Sequence, residues 1–504
     1  MISLRHLAQS AMLGCDTPEA AAALAEAGLK APDPETALLS AAALAGTARM
    51  AGQCPVALAL PNSPAPSMGE GCLPEAAADL FRRILAGNDR KLLAEFMAEI
   101  NARGLAVPPE VLPDLLGRAR RDSALADAVL GVIGPRGRWL ADQNPAWDFA
   151  RVRDPESAWE EGEVGVRLRA LRRMRAQDAA AARKWVQSTW ESDRPEDRAA
   201  FLSAFETGLS MADAPFLESC LKDSRQEVRC GAAALLMRLP ESEFVQRIWE
   251  HARGGLLLEK GRLKKAALQV VIPDNLNEVT TSNGLNFLFQ RLVSFKLQTF
   301  IDENTAQLAQ MLAFVPPVFW TRTFEQPPEV LIDLALAAAD WDKAILLGWL
   351  LAARQTRDQA WGAALLRRWV TDSKSQLTLR FFPMAEILAV LEMPRIEQIV
   401  TETTLLKGRK LTRGYPPLPM LCNMDRPWTV KLARIIVKGF QEMSSEQSAS
   451  AAPYLAEAAY LVPPELTAEF TSGWPQKTMP AWKKQIGKFG RVLSLRRDIR
   501  KTLG

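Results

Sequence analysis

Along most of the chain apolar residues return every third or fourth position, the spacing that lines one face of an α-helix. LFRRILAG from Leu80 and KLLAEFMAEINARG from Lys91 both carry it, and VPPEVLPDLLGRAR from Val107 places prolines where a turn and a first helical turn accept them. Residues 1–50 predict two helices parted at Pro32-Asp33-Pro34. The stretch Leu60–Pro74, LPNSPAPSMGEGCLP, concentrates residues that break regular structure and reads as a loop or linker. Alternating strand patterns are scarce. The best, Ala266–Ile272, fits a strand or a buried helix end equally well. The longest apolar run, Ala344–Ala353, is about half of the roughly 20 residues a membrane-spanning helix needs. The pattern predicts an all-α chain without a membrane span. Its expected parts are an N-terminal helical segment (1–59), a linker (60–74), a helical region (75–150), a repeat array (151–476) and a basic amphipathic C-terminal helix (477–504).

The array is expected from Asp213–Arg253, which parses as three short helices. Within it Asp223, Val228, Arg229, Ala232 and Leu236 follow D-x4-V-R-x2-A-x3-L, the pattern of the inner turn and second helix of a HEAT-type repeat. In that reading Leu221 closes one helix, Asp223 caps the next, Val228 and Leu236 enter the core, and Ala232 lets helices approach closely. Arg229 is expected to ladder between repeats. Glu161, Val166, Arg167, Ala170 and Met174 repeat the offsets 62 residues earlier, which is not one period of about 40 to 47 residues.

Composition narrows the chemistry. With 48% hydrophobic and 24% charged residues the 504-residue chain is an ordinary globular one, but its 2 histidines leave little for imidazole-rich metal sites. Six cysteines without a C-x-x-C pair and an opening without a secretory pattern make a reducing cytoplasm the expected home. Neither G-x-G-x-x-G nor G-x-x-x-x-G-K-[ST] occurs, so no ATPase activity, cofactor or tight zinc is expected, and no catalytic residue is assigned. The formal charge of +4 hides an asymmetry: residues 477–504 hold nine basic residues against Asp498, leaving a weakly acidic body. There Trp482, Ile486, Phe489 and Leu493 trace one apolar helix face, while Lys483, Lys484, Lys488 and Arg491 lie off it as a candidate interaction face.

Other conspicuous residues have structural readings. Trp139 and Trp147 are expected to anchor the junction before the array, and Trp341, Trp349, Trp361 and Trp369 to pack helices rather than stack nucleobases. The turn Gly134-Pro135-Arg136-Gly137-Arg138 is a weak phosphate cradle. Cys220 and Cys230 read as small buried hydrophobes, and His6 and His251 as surface or capping residues.

Several blocks together resemble a known family. They are PPEVLP from Pro108, GPRGRWLA from Gly134 with NPAW from Asn144, PFLE from Pro215 with Asp223–Arg229, and RPW from Arg426. In this order and spacing the chain resembles an uncharacterised bacterial family of helical-repeat proteins of about 500 residues. Its members tend to be encoded beside MoxR-type AAA+ ATPases, von Willebrand A-domain proteins and SWIM zinc-finger proteins. The resemblance implies a HEAT-like α-solenoid within a chaperone-like ATPase system, and supplies no catalytic residues. The leading expectation is therefore a non-enzymatic scaffold or adaptor that binds a protein partner, such as the AAA+ ATPase or the von Willebrand A-domain protein. The alternatives are a nucleic-acid-binding helical-repeat protein of the DNA-glycosylase type and a cryptic hydrolase using carboxylates such as Asp340 and Asp342.

Overall fold

The computed structural model describes residues 8, 11–12, 14, 33–51, 65–66, 71–151, 153–259, 266–271, 303–338, 340–371, 384–405, 418–444, 451–476 and 478–504. His6, Cys15, Cys54 and most of the 60–74 linker lie outside them. Contacts divide the chain into Met1–Pro64 and Ala65–Gly504. In the first unit α1 (Pro34–Ala51) starts where the Asp33 carboxylate accepts a hydrogen bond from Thr36 N–H at 2.7 Å.

In the second unit α2 (Glu75–Gly87) and α3 (Arg90–Ala102) form the first hairpin. Asn88, in the left-handed conformation, ends α2, and Asp89 caps α3 by accepting from Leu92 N–H. After the Pro109–Val111 turn come α4 (Leu112–Arg121), α5 (Ser123–Leu130) and α6 (Gly134–Gln143). The suspected phosphate cradle is therefore the first turn of α6, with Pro135 at a position where its missing N–H costs nothing.

Three helix–turn–helix pairs follow. They are α7 (Pro155–Glu160) with α8 (Val164–Gln177), α9 (Ala179–Thr189) with α10 (Pro195–Leu202), and α11 (Ala214–Cys220) with α12 (Gln226–Leu236). Helix α13 (Glu243–Ala252), capped by Ser242, completes the three helices expected between Asp213 and Arg253. The ambiguous Ala266–Ile272 run resolves as a strand over its described part. β1 (Leu256–Glu259) pairs antiparallel with β2 (Ala267–Val270), Leu258 opposite Leu268. Leu268 points inward and its neighbours outward, the period of a strand rather than of a helix.

The remainder is again helical: α14 (Glu303–Ala313), α15 (Val318–Phe324), α16 (Pro328–Ala337), α17 (Asp342–Thr356), α18 (Gln359–Thr371), α19 (Met384–Val390) and α20 (Met393–Leu405). Then come α21 (Leu418–Leu421), α22 (Val430–Met443), α23 (Ala452–Ala458), α24 (Thr467–Phe470) and α25 (Pro480–Leu503). Every residue from Ala344 to Ala353 is buried, so α17 is apolar all round because it packs against α14, α16, α18 and α19 at once. Trp349 and Trp361 meet edge to face there, ring centroids 4.9 Å apart, and Trp369 is buried beside them, as packing tryptophans should be. Trp341 is only half-buried, at the start of α17. The whole molecule is mainly helical, and among the described residues the only sheet is the β1–β2 pair.

The last helix returns to the first ones. Helix α25 packs on α2, α3 and α23 through Phe489, Val492, Leu493 and Ile499, all buried. Arg496 reaches Glu95 on α3 at 2.6 Å and donates to the carbonyl of Ala459 at 2.7 Å, while Arg500 faces Glu99 at 3.5 Å. Lys91 pairs with Glu457 at 2.7 Å, and Tyr460 donates to Asp89 at 2.7 Å. Lys91, Glu95 and Glu99 are four residues apart, so one stripe of α3 carries the seam.

Candidate interaction surface

Two features of the second unit bear on function: a ladder of arginines across the helix pairs, and the outward face of α25. In each pair the second helix carries an arginine at its fourth residue, Arg167 on α8, Arg198 on α10 and Arg229 on α12. Their spacing is 31 residues, so the 62-residue echo in the sequence is two such steps, with Arg198 between. Trp159, Trp190 and Leu221, each within one residue of the end of its pair's first helix, recur at the same spacing.

Two of the arginines bind an aspartate in the next pair's turn. Arg167 meets Asp193 with both terminal nitrogens, at 2.6 and 3.1 Å, and lies 4.3 Å over the Trp159 ring. Arg198 meets Asp223 at 2.9 Å and lies 5.5 Å over the Trp190 ring. Both aspartates are almost wholly buried, with side-chain exposures of 6% and 4%, so each guanidinium offsets the cost of desolvating its carboxylate. Trp159 and Trp190 carry the ladder's aromatic side, the former against Phe201 and the latter against Phe216.

The repeat-motif residues are placed accordingly. Val228, Ala232 and Leu236 are fully buried. Asp223 does not cap α12, as its sequence position suggested. One oxygen accepts from Arg225 N–H in a tight turn, and the other faces Arg198 of the preceding pair. Arg229 does not continue the ladder either: it donates to the carbonyls of Asp223 and Ser224 in its own turn. The reason lies downstream, where a further step of 30 or 31 residues from Asp223 reaches Arg253 or Gly254, neither of which carries a carboxylate.

A further buried arginine escaped the sequence reading. Arg175 on α8 and Asp213 are each completely enclosed, joined by two 3.0 Å bonds, and Arg183 approaches Asp213 at 2.7 Å. The carbonyls of Thr207, Ala179 and Gly208 accept the remaining Arg175 donors. Every polar group is satisfied, so this node is framework rather than a reactive site. Cys220 and Cys230 are buried as expected, and burial pushes the Cys220 thiol up to about 12, far from a reactive thiolate. Trp139 and Trp147 are both half-buried, with Trp147 packed against the core. His251 is exposed near the end of α13, and Asp340 is exposed before α17.

The outward face of α25 is different in kind. Trp482, Phe489 and Leu493 are buried and Ile486 is partly buried, so the apolar stripe seals the fold as its spacing predicts. Lys483, Lys484, Lys488 and Arg491 are all exposed, and none of them forms an ion pair among the described residues. Arg496, Arg497 and Arg500, further along the same helix, are all paired. No acidic residue occupies the first turn of α25, so Lys483 and Lys484 sit unneutralised near the positive end of the helix dipole. Added methyl groups at Gly487 or Gly490 would meet no atom within 4 Å.

No helix among the described residues is long and apolar enough to cross a membrane, and none of their acidic, cysteine and histidine side chains gather in threes to hold a metal ion. No curated protein and no solved structure matches the chain. A family model does, over residues 6–503: the chain belongs to DUF5691, a family of unknown function.

Proposed function

We propose that this member of DUF5691 is a non-enzymatic helical-repeat scaffold that binds a protein partner, its helix pairs stacked as a HEAT-like solenoid. The observation that carries this reading is the 31-residue recurrence of a second helix with an arginine at its fourth residue across three pairs, with each of the first two arginines bound to the next pair's turn. In a repeat array each unit cannot bury its apolar side alone and is held by its neighbour, and Arg167–Asp193 and Arg198–Asp223 act as such joints. The buried Arg175–Asp213 node is saturated, which suits support rather than catalysis. The partner we favour is a component of a MoxR-type AAA+ ATPase or von Willebrand A-domain assembly, beside which proteins resembling this one tend to be encoded. A cytoplasmic setting fits that partner.

The test is affinity capture of the tagged full-length chain from its native host, with mass spectrometry of the eluate and reconstitution from purified components. A stoichiometric complex with one protein supports the scaffold. Capture of nucleic acid in place of protein, or hydrolysis that Asp340→Asn and Asp342→Asn abolish, would replace it with one of the two alternatives.

A further inference from the structure

We infer that the outward face of α25 is a docking site for an acidic, helical segment of a protein partner. This rests on the scaffold reading and adds to it the place and chemistry of contact. Lys484, Lys488 and Arg491 span about 10 Å of one helix face, with Lys483 beside them. Where residues 1–476 sum to a weakly acidic body, these four cations concentrate positive charge on one ridge. The ridge is rigid, because the opposite side of the same helix is packed into the core by Trp482, Phe489 and Leu493.

Two other occupants of a basic helix do not fit. A membrane-surface helix needs its apolar face for insertion, and here that face is already buried in the fold. Single-stranded nucleic acid needs aromatic rings to stack on, and among the described residues the large exposed hydrophobics include no aromatic. What the ridge does offer is Met479, 40% exposed at the start of α25, a flexible apolar anchor next to Lys483. Gly487 and Gly490 leave bare backbone between the cations, although glycine inside a helix costs about 1 kcal/mol relative to alanine and no close neighbour in the fold requires it. A partner helix can therefore approach that backbone closely, its carboxylates meeting the four cations on either side.

The experiment uses the full chain and a fluorescein-labelled synthetic helix of about 20 residues with glutamates at every fourth position and one leucine anchor. Its controls are the same peptide with Gln for Glu, a short DNA duplex, and phosphatidylserine vesicles. The acidic peptide is expected to bind at low salt and to weaken about tenfold or more at high salt, while the Gln peptide does not bind. Lys483→Gln, Lys484→Gln, Lys488→Gln and Arg491→Gln together should abolish binding at an unchanged melting temperature. Arg120→Gln with Arg121→Gln, exposed residues of α4, should leave it intact. Gly487→Leu with Gly490→Leu keeps every charge, improves helix propensity, and should weaken binding severalfold. No binding of the acidic peptide, binding that survives the quadruple substitution, or tighter binding of DNA or vesicles through the same four residues overturns the inference. If the quadruple variant still captures a partner from the host, only this docking site falls; if no partner is captured by either form, the scaffold reading falls with it.

Discussion

Arg175 holds a full charge where water does not reach, and it does so because Asp213 and three carbonyl oxygens take every donor. Breaking such a pair leaves the other ion buried and uncompensated, so Arg175→Leu is expected to cost about 3 to 5 kcal/mol in urea denaturation. Arg198→Ala should cost about 2 to 3 kcal/mol, because Asp223 is nearly as enclosed, whereas Arg229→Ala should cost less than about 1 kcal/mol, its acceptors being carbonyls of its own turn. Burial would by itself raise the Asp213 carboxyl, but the hydrogen bonds from Arg175 and Arg183 outweigh it and hold it below its ordinary 3.8. The native protein then binds fewer protons here than the unfolded chain. The stabilisation is present above pH 3.8 and is lost as pH falls through the lowered value. Asp213→Asn should accordingly show a shallower fall of melting temperature on acidification than the wild type.

At the scale of elements, the helices were legible because each carries its own 3.6 period, and the three between Asp213 and Arg253 lie where that period places them. The β1–β2 pair was half-legible: AALQVVI is too short for its period to decide, and its identity depends on LLLE some ten residues away. The 31-residue step was present in the chain but disguised, since Arg198 keeps the arginine while Asp197, Phe201 and Phe205 replace the small and apolar residues of the motif at the matching positions. The buried Arg175–Asp213 node was not legible, because pairing across 38 residues leaves no local pattern. The candidate ridge on α25 was, since amphipathic spacing separates its two faces without any tertiary information. Close helix contact gives a further prediction. A methyl group on Gly348 of α17 would lie 2.5 Å from Cβ of Leu312 and 2.8 Å from the Ala309 carbonyl of α14. Gly348→Ala should therefore destabilise by about 1 to 3 kcal/mol despite its better helix propensity.

For the second unit as a whole, the seam between α3 and the last helices decides stability. Ending the chain after Pro480 removes Phe489, Val492, Leu493, Arg496 and Ile499 from their contacts, leaves Glu95 without Arg496 and leaves Glu99 with Arg103 alone. The expected outcome is a large fall in melting temperature with binding of a hydrophobic dye, separable from the quadruple ridge variant, which should melt as the wild type does. A milder cut, Glu95→Gln, should lower the melting temperature by a few degrees, because Arg496 is buried and keeps only its carbonyl acceptors. The same seam joins residues 401 apart, and a ribosome adding about 5 to 20 residues each second leaves α3 waiting some tens of seconds for α25. Throughout that interval the apolar side chains of α2 and α3 that α25 later covers lack that cover. A chain that loses α25 would leave that apolar surface in water, where chaperones and proteases that read exposed hydrophobic patches can act on it.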